Sequence, residues 1–207
     1  MVSLPSASDP KLWGTKYNEY LSVEHNPDGT HADGVINVKS SSIGATGDGV
    51  TDDSVAVEGA LASMTDGDVL FFPSGNYLLS TYSAQTITAN ISIIGAGKGK
   101  TTITGPDMTT DFISTGTGGS VNIKGAGFST FDSIIKGTTN DVDFVVVDEC
   151  RVDGAKHLYD DAGFATTGDV DRFRVTNCSL SNISGVAIDF QAPTTETTHI
   201  QNNRFDT

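Results

Sequence analysis

The stretch Ile43-Gly-Ala-Thr-Gly-Asp-Gly-Val-Thr-Asp-Asp-Ser54 decides how the rest of this chain is interpreted. Its glycines favour a turn, and Thr51 or Asp52 is a good helix N-cap that places carboxylates in the first helical turn. Residues 55–64 then carry apolar side chains at helical spacing, which predicts a helix with one buried stripe. The stripe comprises Val57, Ala60, Leu61 and Met64.

Two short strands are predicted after this helix, which ends at Asp66 and Gly67. Residues 68–72 and 77–80 are rich in apolar side chains, and the turn residues 73–76 separate them. The glycine-rich turn before the helix has no P-loop lysine and does not follow the strand that a phosphate loop requires. We therefore expect no nucleotide to bind there.

These residues resemble the opening of pectate-lyase-like right-handed β-helices, which reads Gly-Ala-x-Gly-Asp-Gly-x-x-Asp-Asp, then a helix, a strand and Pro-x-Gly-x-Tyr. The resemblance implies a β-helix whose N-terminal cap includes Asp48, Asp52 and Asp53. Polysaccharide-degrading enzymes and phage tailspikes share this opening, so it indicates a fold and a cap but no chemistry. The matching positions are Gly44, Ala45, Gly47, Asp48, Gly49, Asp52, Asp53, Pro73, Gly75 and Tyr77.

A repeat covers the remainder of the chain. The apolar anchors of five successive strands are 25, 24, 28 and 25 residues apart, which is the length of one solenoid coil with variable turns. Equivalent residues are expected to stack about 4.8 Å apart and to bury apolar ladders. The predicted fold class is therefore all-β, a right-handed parallel β-helix (solenoid) with one capping helix. The anchors are Ile103, Phe128, Val152, Leu180 and Phe205.

Cys150 and Cys178, the two cysteines, occupy the same repeat position 28 residues apart. Two cysteines do not make a disulfide framework. We expect both to be free thiols stacked in the core, where cysteine packs as a small hydrophobe.

The formal net charge is −14, with no basic patch to offset it, so nucleic acid phosphates should be repelled. The acidity favours solubility and leaves open binding to cations or neutral glycans. No segment approaches the roughly 18 consecutive apolar residues of a membrane span. The N-terminus lacks the basic and apolar regions of a signal peptide. We predict no membrane insertion, no metal and no cofactor.

The first thirty-odd residues differ from the rest and include Trp13, the single tryptophan. Between residues 10 and 23 the apolar side chains fall on one face of a short amphipathic helix. Such a helix is too short to be stable alone, so we expect it to pack against a partner or against copies of itself. The apolar positions are Leu12, Trp13, Tyr17, Tyr20 and Leu21.

This segment resembles one that opens many phage tail-fibre proteins. The resemblance rests on Leu4-Pro5, Trp13-Gly14, Tyr17-Asn18 and the run from His25 through Asn-Pro-Asp-Gly-Thr to His31. It implies attachment to the tail or baseplate by residues 1–38, with residues 39–207 forming the cap and first coils of the β-helix. The two histidines are too loosely spaced to fix a metal geometry. Candidate attachment residues are Trp13, Tyr17, Tyr20, His25, Asp28 and His31.

No distinctive catalytic cluster stands out among the later coils. Asp160 and Asp161 follow His157 in a predicted turn and are the best local candidates for acid–base chemistry. Glu149 and Arg151 are expected to form an ordinary outward charged pair. The remaining candidates are Asp148, Asp153, Asp169, Asp171, Asp189, Glu196 and His199.

Together the resemblances imply a virion structural protein, the N-terminal part of a phage tail spike or fibre assembled in the host cytoplasm. It is expected to be a homotrimer and to present its β-helix to a host surface polysaccharide. The strand at the end of the chain predicts that the helix continues beyond residue 207 or that a partner covers it. The alternative is a polysaccharide depolymerase, either a lyase or a glycoside hydrolase. A secreted pectinolytic enzyme is a third reading that the missing signal peptide disfavours.

Overall fold

The structure, a computed structural model, describes residues 34–137, 142–161, 170–190 and 197–206. Within these residues nineteen strands and one helix form a parallel β-solenoid. The predicted all-β fold, a parallel β-helix with one capping helix, is therefore confirmed. In the same part of the chain, no helix has the length and hydropathy that crossing a membrane demands.

Each strand belongs to one of three parallel sheets. Sheet A contains β1 (Val35–Asn37), β3 (Val69–Phe72), β6 (Asn90–Gly95), β9 (Ser120–Lys124), β12 (Val142–Asp148), β15 (Val170–Thr176) and β18 (Thr197–Gln201). Sheet B contains β2 (Asp48–Asp52), β4 (Gly75–Leu78), β7 (Thr101–Thr104), β10 (Gly127–Ser129), β13 (Arg151–Asp153), β16 (Ser179–Ser181) and β19 (Arg204–Asp206). Sheet C contains β5 (Gln85–Ile87), β8 (Ile113–Thr115), β11 (Ser133–Gly137), β14 (His157–Asp160) and β17 (Ile188–Asp189).

The predicted repeat anchors form one ladder along sheet B. Phe128 lies opposite Ile103 and Val152, and Leu180 lies opposite Val152 and Phe205. All of these side chains except Phe205 are at most 1% exposed. Sheet A contributes a second buried ladder because its side chains alternate between the core and the outside. That ladder runs through Leu70, Ile93, Ile123, Val147 and Val175.

From β9 onward, a corner of two residues joins each sheet A strand to its sheet B strand. The first corner residue has a positive φ of 67° at Gly125, 52° at Glu149, 57° at Asn177 and 56° at Asn202. Asparagine and glycine tolerate this left-handed conformation best, which explains their recurrence at this point of the repeat.

The second corner residue points into the core. Cys150 and Cys178 occupy this position as free thiols, 0% and 2% exposed, as predicted. Contact with the Cys178 thiol, together with burial, raises the pKa of Cys150 well above its usual range. Cys150 therefore stays a thiol and packs as a small apolar group.

Helix α1 (Ser54–Ala62) takes the place of a sheet C strand in the first coil and contacts β5. The predicted N-cap at Thr51 or Asp52 is wrong, because both residues belong to β2 and Asp53 is the N-cap. No acidic residue lies in the first helical turn. The predicted stripe is buried except for Met64, which follows the helix and packs partly buried against the core.

Strand β4 begins earlier than predicted, at Gly75, because Gly75 and Asn76 already pair with β7. A side chain at Gly75 would place its Cβ 2.6 Å from the carbonyl oxygen of Gly47, so this close approach requires glycine. At the start of the described chain, β1 pairs with β3 and so belongs to the solenoid. The division of the chain at residue 38 otherwise stays a prediction, because residues 1–33 lie outside the described residues.

Candidate functional site

Sheet C places a row of charged side chains next to one another on successive coils. Lys136 lies opposite Asp160, and Asp160 lies opposite Asp189. The Lys136 ammonium donates to the Asp160 carboxylate, which is 9% exposed. Ile135 and Tyr159, one residue earlier on their strands, are buried in the core. By strand alternation the charged row therefore lies on the opposite face of sheet C.

His157 begins the strand that ends at Asp160. Its Nδ1 lies 2.7 Å from the carbonyl oxygen of Val186. A carbonyl oxygen can only accept, so Nδ1 carries the proton and Nε2 of the neutral ring is left as an acceptor. The imidazole also packs against Gly185, where a Cβ would lie 2.8 Å from His157 Cε1. The ring is thus held in one orientation, with a basic nitrogen available.

Asp161 and the phenol of Tyr159 extend this site into the interior. Asp161 is fully buried, and its backbone N–H donates to the Asp189 carbonyl oxygen at 3.2 Å. The Tyr159 hydroxyl is also buried and has no hydrogen-bond partner within the described residues. Burial, and then the charges of Asp161 and Asp160, raise the pKa of this phenol above its usual range. Tyr159 therefore remains protonated at neutral pH.

A second charged group lies on the earlier coils of the same side. Asp132 pairs with Lys156 at 2.9 Å. Asp111 accepts the Ser133 backbone N–H at 3.0 Å and is half-buried. Burial, with the charge of Asp132 adding to it, raises the pKa of Asp111.

Chemically, the charged row of sheet C combines two carboxylates and a lysine on neighbouring strands. Carboxylate pairs cleave glycosidic bonds in glycoside hydrolases, and a base beside a cation suits proton abstraction from an acidic sugar. No group of three or more His, Cys, Asp or Glu side chains within the described residues is arranged to hold a metal ion.

His157 and Asp160 lie on strand β14 and Asp161 directly follows it, so the turn predicted for the two aspartates is wrong. Side chains alternate along the strand, which places His157 and Asp160 on opposite faces of sheet C. Whether they are catalytic stays a prediction. Sequence reasoning missed Lys136, the direct partner of Asp160. The signal was available, because Lys136 stands 24 residues before Asp160, one coil length earlier.

Other acidic candidates stabilise corners between coils. Asp148 accepts from Thr176 Oγ1 at 2.8 Å and from Asn177 Nδ2 at 2.9 Å. Asp153 repeats this arrangement one corner later, accepting from Ser181 Oγ at 3.0 Å and from the amide of the next residue at 2.7 Å. Burial alone would raise the pKa of Asp148, but its hydrogen bonds outweigh burial and lower the pKa. The corresponding hydrogen bonds of Asp153 lower its pKa as well. Both carboxylates are thus engaged in linking successive coils.

Glu149 and Arg151 are both exposed, as expected, but they do not pair with each other. Arg151 binds Asp153 at 2.6 Å, two residues along the same strand face, and Glu149 lies 3.5 Å from Lys124. Glu149 thus contacts the preceding coil through Lys124.

The cap aspartates bind backbone and hydroxyl groups. Asp53, 2% exposed, accepts the backbone N–H groups of Thr46 at 2.7 Å and Gly47 at 3.0 Å. Asp48 accepts the Val50 and Thr51 N–H groups, and these hydrogen bonds lower its pKa to about 2. These contacts are those expected of a structural cap.

Asp52 joins the start of the helix to the segment after β4, because its carboxylate accepts from residues 54, 80 and 81. Burial opposes ionisation of Asp52, but these hydrogen bonds outweigh it and lower its pKa.

Several predicted residues lie outside the described part of the chain. They are the attachment candidates Trp13, Tyr17, Tyr20, His25, Asp28 and His31, together with Asp169 and Glu196. The predicted helix between residues 10 and 23 also lies there.

Comparison with curated proteins finds relatives from Azotobacter vinelandii. Mannuronan C5-epimerase AlgE1 is 39% identical over 74 residues, which is 32% of this chain and 5% of the relative. Alginate lyase 7 is 40% identical over 74 residues, which is 32% of this chain and 8% of the relative. The chain thus spans less than a tenth of the length of either relative.

Among solved structures, ORF18 of Geobacillus virus E2 aligns with a TM-score of 0.47 and 18% identity, covering 97% of this chain and 43% of that one. The family model described as rhamnogalacturonase A/epimerase, pectate lyase-like, matches residues 35–157, from the first strand of sheet A to the start of β14. This match covers more than half of the 207 residues. The chain therefore belongs to the rhamnogalacturonase A/epimerase, pectate lyase-like family.

Proposed function

We propose that this chain is the N-terminal part of a phage tail spike or tail fibre. In this proposal the part of the predicted attachment segment that precedes β1 binds the tail or baseplate, and the β-helix recognises a host surface polysaccharide. The observation that carries the recognition step is the pectate-lyase-like solenoid itself, whose curated relatives are named for mannuronan and alginate. Attachment rests on the resemblance of the first 31 residues to tail-fibre openings.

Electron microscopy of virions from the natural source tests the proposal. Gold-labelled antibodies raised against residues 39–207 should mark the tail. Finding the protein free of virions in the medium would contradict a tail role and favour a secreted enzyme.

The proposed homotrimer is tested by sedimentation equilibrium of the full chain at micromolar concentration. A trimer of this 21.6 kDa chain should sediment at about three times the monomer mass. Removal of residues 1–33 should weaken the assembly if the amphipathic segment contributes to it. A monomeric full chain would count against a trimer formed by these residues alone.

The second candidate function, a polysaccharide depolymerase, is favoured by the charged row on sheet C. Asp160 and Asp189 lie opposite each other on neighbouring coils. A carboxylate held by Lys136, beside a second carboxylate, is suited to acid–base cleavage of a glycan.

Incubation of the full chain with host capsule, followed by assays for reducing ends and unsaturated uronates, tests this candidate. Asp160→Asn and Asp189→Asn should abolish product release, whereas Asp132→Asn, a matched change on the same side, should retain it. Absence of release by the wild-type chain would reject the depolymerase for these residues and leave the recognition proposal standing.

A further inference from the structure

Strand β15 carries two arginines, Arg172 and Arg174, that are exposed on the outer face of sheet A. Phe173, between them, is fully buried in the core. Since side chains alternate along a strand, both arginines stand on the same face, about 7 Å apart along the chain.

Neither arginine has an ion-pair partner within the described residues. The ion pairs there involve Lys124, Lys136, Arg151, Lys156 and Arg204. Exposed Asp143 and Asp171 lie near the start of strands β12 and β15, and no ion pair joins either of them to an arginine in the described part of the chain.

On sheet B, charged residues two positions apart on one strand form ion pairs. Arg151 binds Asp153 at 2.6 Å, and Arg204 binds Asp206 at 2.8 Å, each two residues along its own strand. On β15 the equivalent position holds a second arginine in place of the aspartate. Two like charges on one strand face repel each other, and a bound anion relieves that repulsion. These two cations, which form no ion pair within the described ranges, stand out on a chain of net charge −14.

The neighbouring coils complete the surface. Arg172 lies between Phe144 and Thr197, and Arg174 lies between Val146 and His199. Phe144 is half-buried, so part of its ring faces outward. We call these outward residues the sheet A arginine patch: Phe144, Val146, Arg172, Arg174, Thr197 and His199.

We propose that the sheet A arginine patch binds an acidic polysaccharide. Each guanidinium offers a planar pair of donors that matches a carboxylate, and the exposed part of the Phe144 ring offers a surface for the apolar face of a sugar. Two cations along one strand suit an extended polymer with repeating carboxylates. The inference rests on the proposed polysaccharide recognition and adds the charge of the polymer and a surface separate from sheet C.

Charge density favours this ligand over nucleic acid. Duplex DNA carries one charge per about 1.7 Å of its axis, so the net negative chain repels it strongly. A polyuronate carries one carboxylate per sugar, so the net negative charge of the chain repels it less. The local attraction of the two arginines then outweighs that repulsion. Binding should accordingly weaken as salt screens that attraction.

The test measures binding of the full chain to sodium polygalacturonate and sodium alginate, with neutral dextran as the comparison polymer. Between about 0.01 M and 1 M salt the Debye length falls from about 30 to about 3 Å, so affinity for the polyuronates should fall steeply. Replacing both arginines (Arg172→Gln with Arg174→Gln) should lower that affinity on the order of a hundredfold, about tenfold for each charge-assisted contact.

Arg151→Gln is the matched control, because it removes an arginine that is also exposed but already has an aspartate partner on sheet B. It should leave the affinity within about twofold. Thermal unfolding of each variant checks that the exposed substitutions leave the fold intact.

Polyuronate binding that the double variant retains would overturn the inference, as would equal, salt-insensitive binding to dextran or no polyuronate binding at low salt. In each case, continued binding to a crude host polysaccharide extract would leave the proposed function intact, and loss of that binding would reject both. If the double variant instead dissociates a wild-type oligomer, a second copy of the chain occupies the patch and the inference fails.

Discussion

The chain contains two pairs of adjacent aspartates, Asp52-Asp53 in the cap and Asp160-Asp161 on sheet C, and the fold surrounds them differently. The cap pair is held by backbone N–H and hydroxyl groups, including those of Thr46 and Ser54. Asp160 of the second pair is held by the Lys136 ammonium. Both residues of that pair are buried near a phenol that has no hydrogen-bond partner within the described residues.

The difference shows that the donors around a carboxylate, and not its sequence neighbours, set what it can do. Neutral donors fixed in the backbone stabilise the ionised form and use up its oxygens, which suits a structural role. An ammonium on a long side chain can move away from its carboxylate when a charged ligand arrives. The cap pair is thus suited to holding the fold, and the sheet C pair retains the capacity to bind or react.

The largest effect is expected at the buried member of the cap pair. Asp53→Ala should lower the free energy of unfolding by about 3 kcal/mol, because it leaves two backbone N–H groups near the protein interior without an acceptor. Urea unfolding followed by circular dichroism measures the loss. Asp48→Ala, which removes an exposed cap carboxylate, is the control and should cost less. An equal loss for both variants would mean that burial does not distinguish them.

An intermediate effect is expected at the sheet C pair. Lys136→Met should destabilise the fold by roughly 2 kcal/mol, since it leaves a nearly buried Asp160 carboxylate without its cation. Lys156→Met, whose ion pair with Asp132 is more exposed, should cost less than about 1 kcal/mol.

The cycle closes with the double variant Lys136→Met with Asp160→Asn, which should recover most of the loss because neither charge of the Lys136–Asp160 pair remains. If the double variant is as unstable as Lys136→Met alone, the packing of the lysine stem matters more than its charge.

The smallest effect is a difference in the pH dependence of the two regions. The pKa of Asp48 is lowered from 3.8 to about 2 and that of Asp52 is also lowered, so their stabilisation is complete above pH 3.8 and is lost as the pH falls through the folded values. The pKa of Asp111 is raised, so its contribution is complete below pH 3.8 and is lost as the pH rises through its folded value.

Unfolding curves between pH 2 and pH 7 measure the loss of stability in acid expected from Asp48 and Asp52 and the opposite pH dependence expected from Asp111. Asp52→Asn should flatten the acid loss. Asp111→Asn should be neutral or slightly stabilising at pH 7, within about 1 kcal/mol, because the amide oxygen can still accept the Ser133 N–H. A destabilised Asp111→Asn at neutral pH would contradict the raised pKa.

Much of the fold could be predicted from the sequence because the repeat is set by local chemistry. The anchors from Ile103 to Phe205 recur at coil length, and the structure places them in one ladder. The helix start was missed because a carboxylate before a helix was assumed to cap it. Asp53 instead turns its side chain to Thr46, and this long-range choice leaves no trace in local helix propensity.

Only part of the candidate site could be predicted from the sequence. Asp160, Asp161 and His157 are close in sequence, and the pattern alone drew attention to them. Lys136 was missed because the repeat was aligned on the sheet B strands, while its partner lies across the sheet C register. The Tyr159 hydroxyl, which has no hydrogen-bond partner among the described residues, could not be foreseen, since its burial depends on packing from several coils.

From β9 onward, the corner between sheets A and B always has two residues, and this fixed length sets the face on which each side chain of the next strand lies. One residue inserted there would turn every following side chain of the next strand to the opposite face. The connections from sheet B to sheet C have no such constraint, since eight residues link β7 to β8 and three link β10 to β11. Foreign peptides could therefore be inserted into the connections between sheets B and C, beside the charged row of sheet C. Such insertions would vary the surface around that row without disturbing the stacked core.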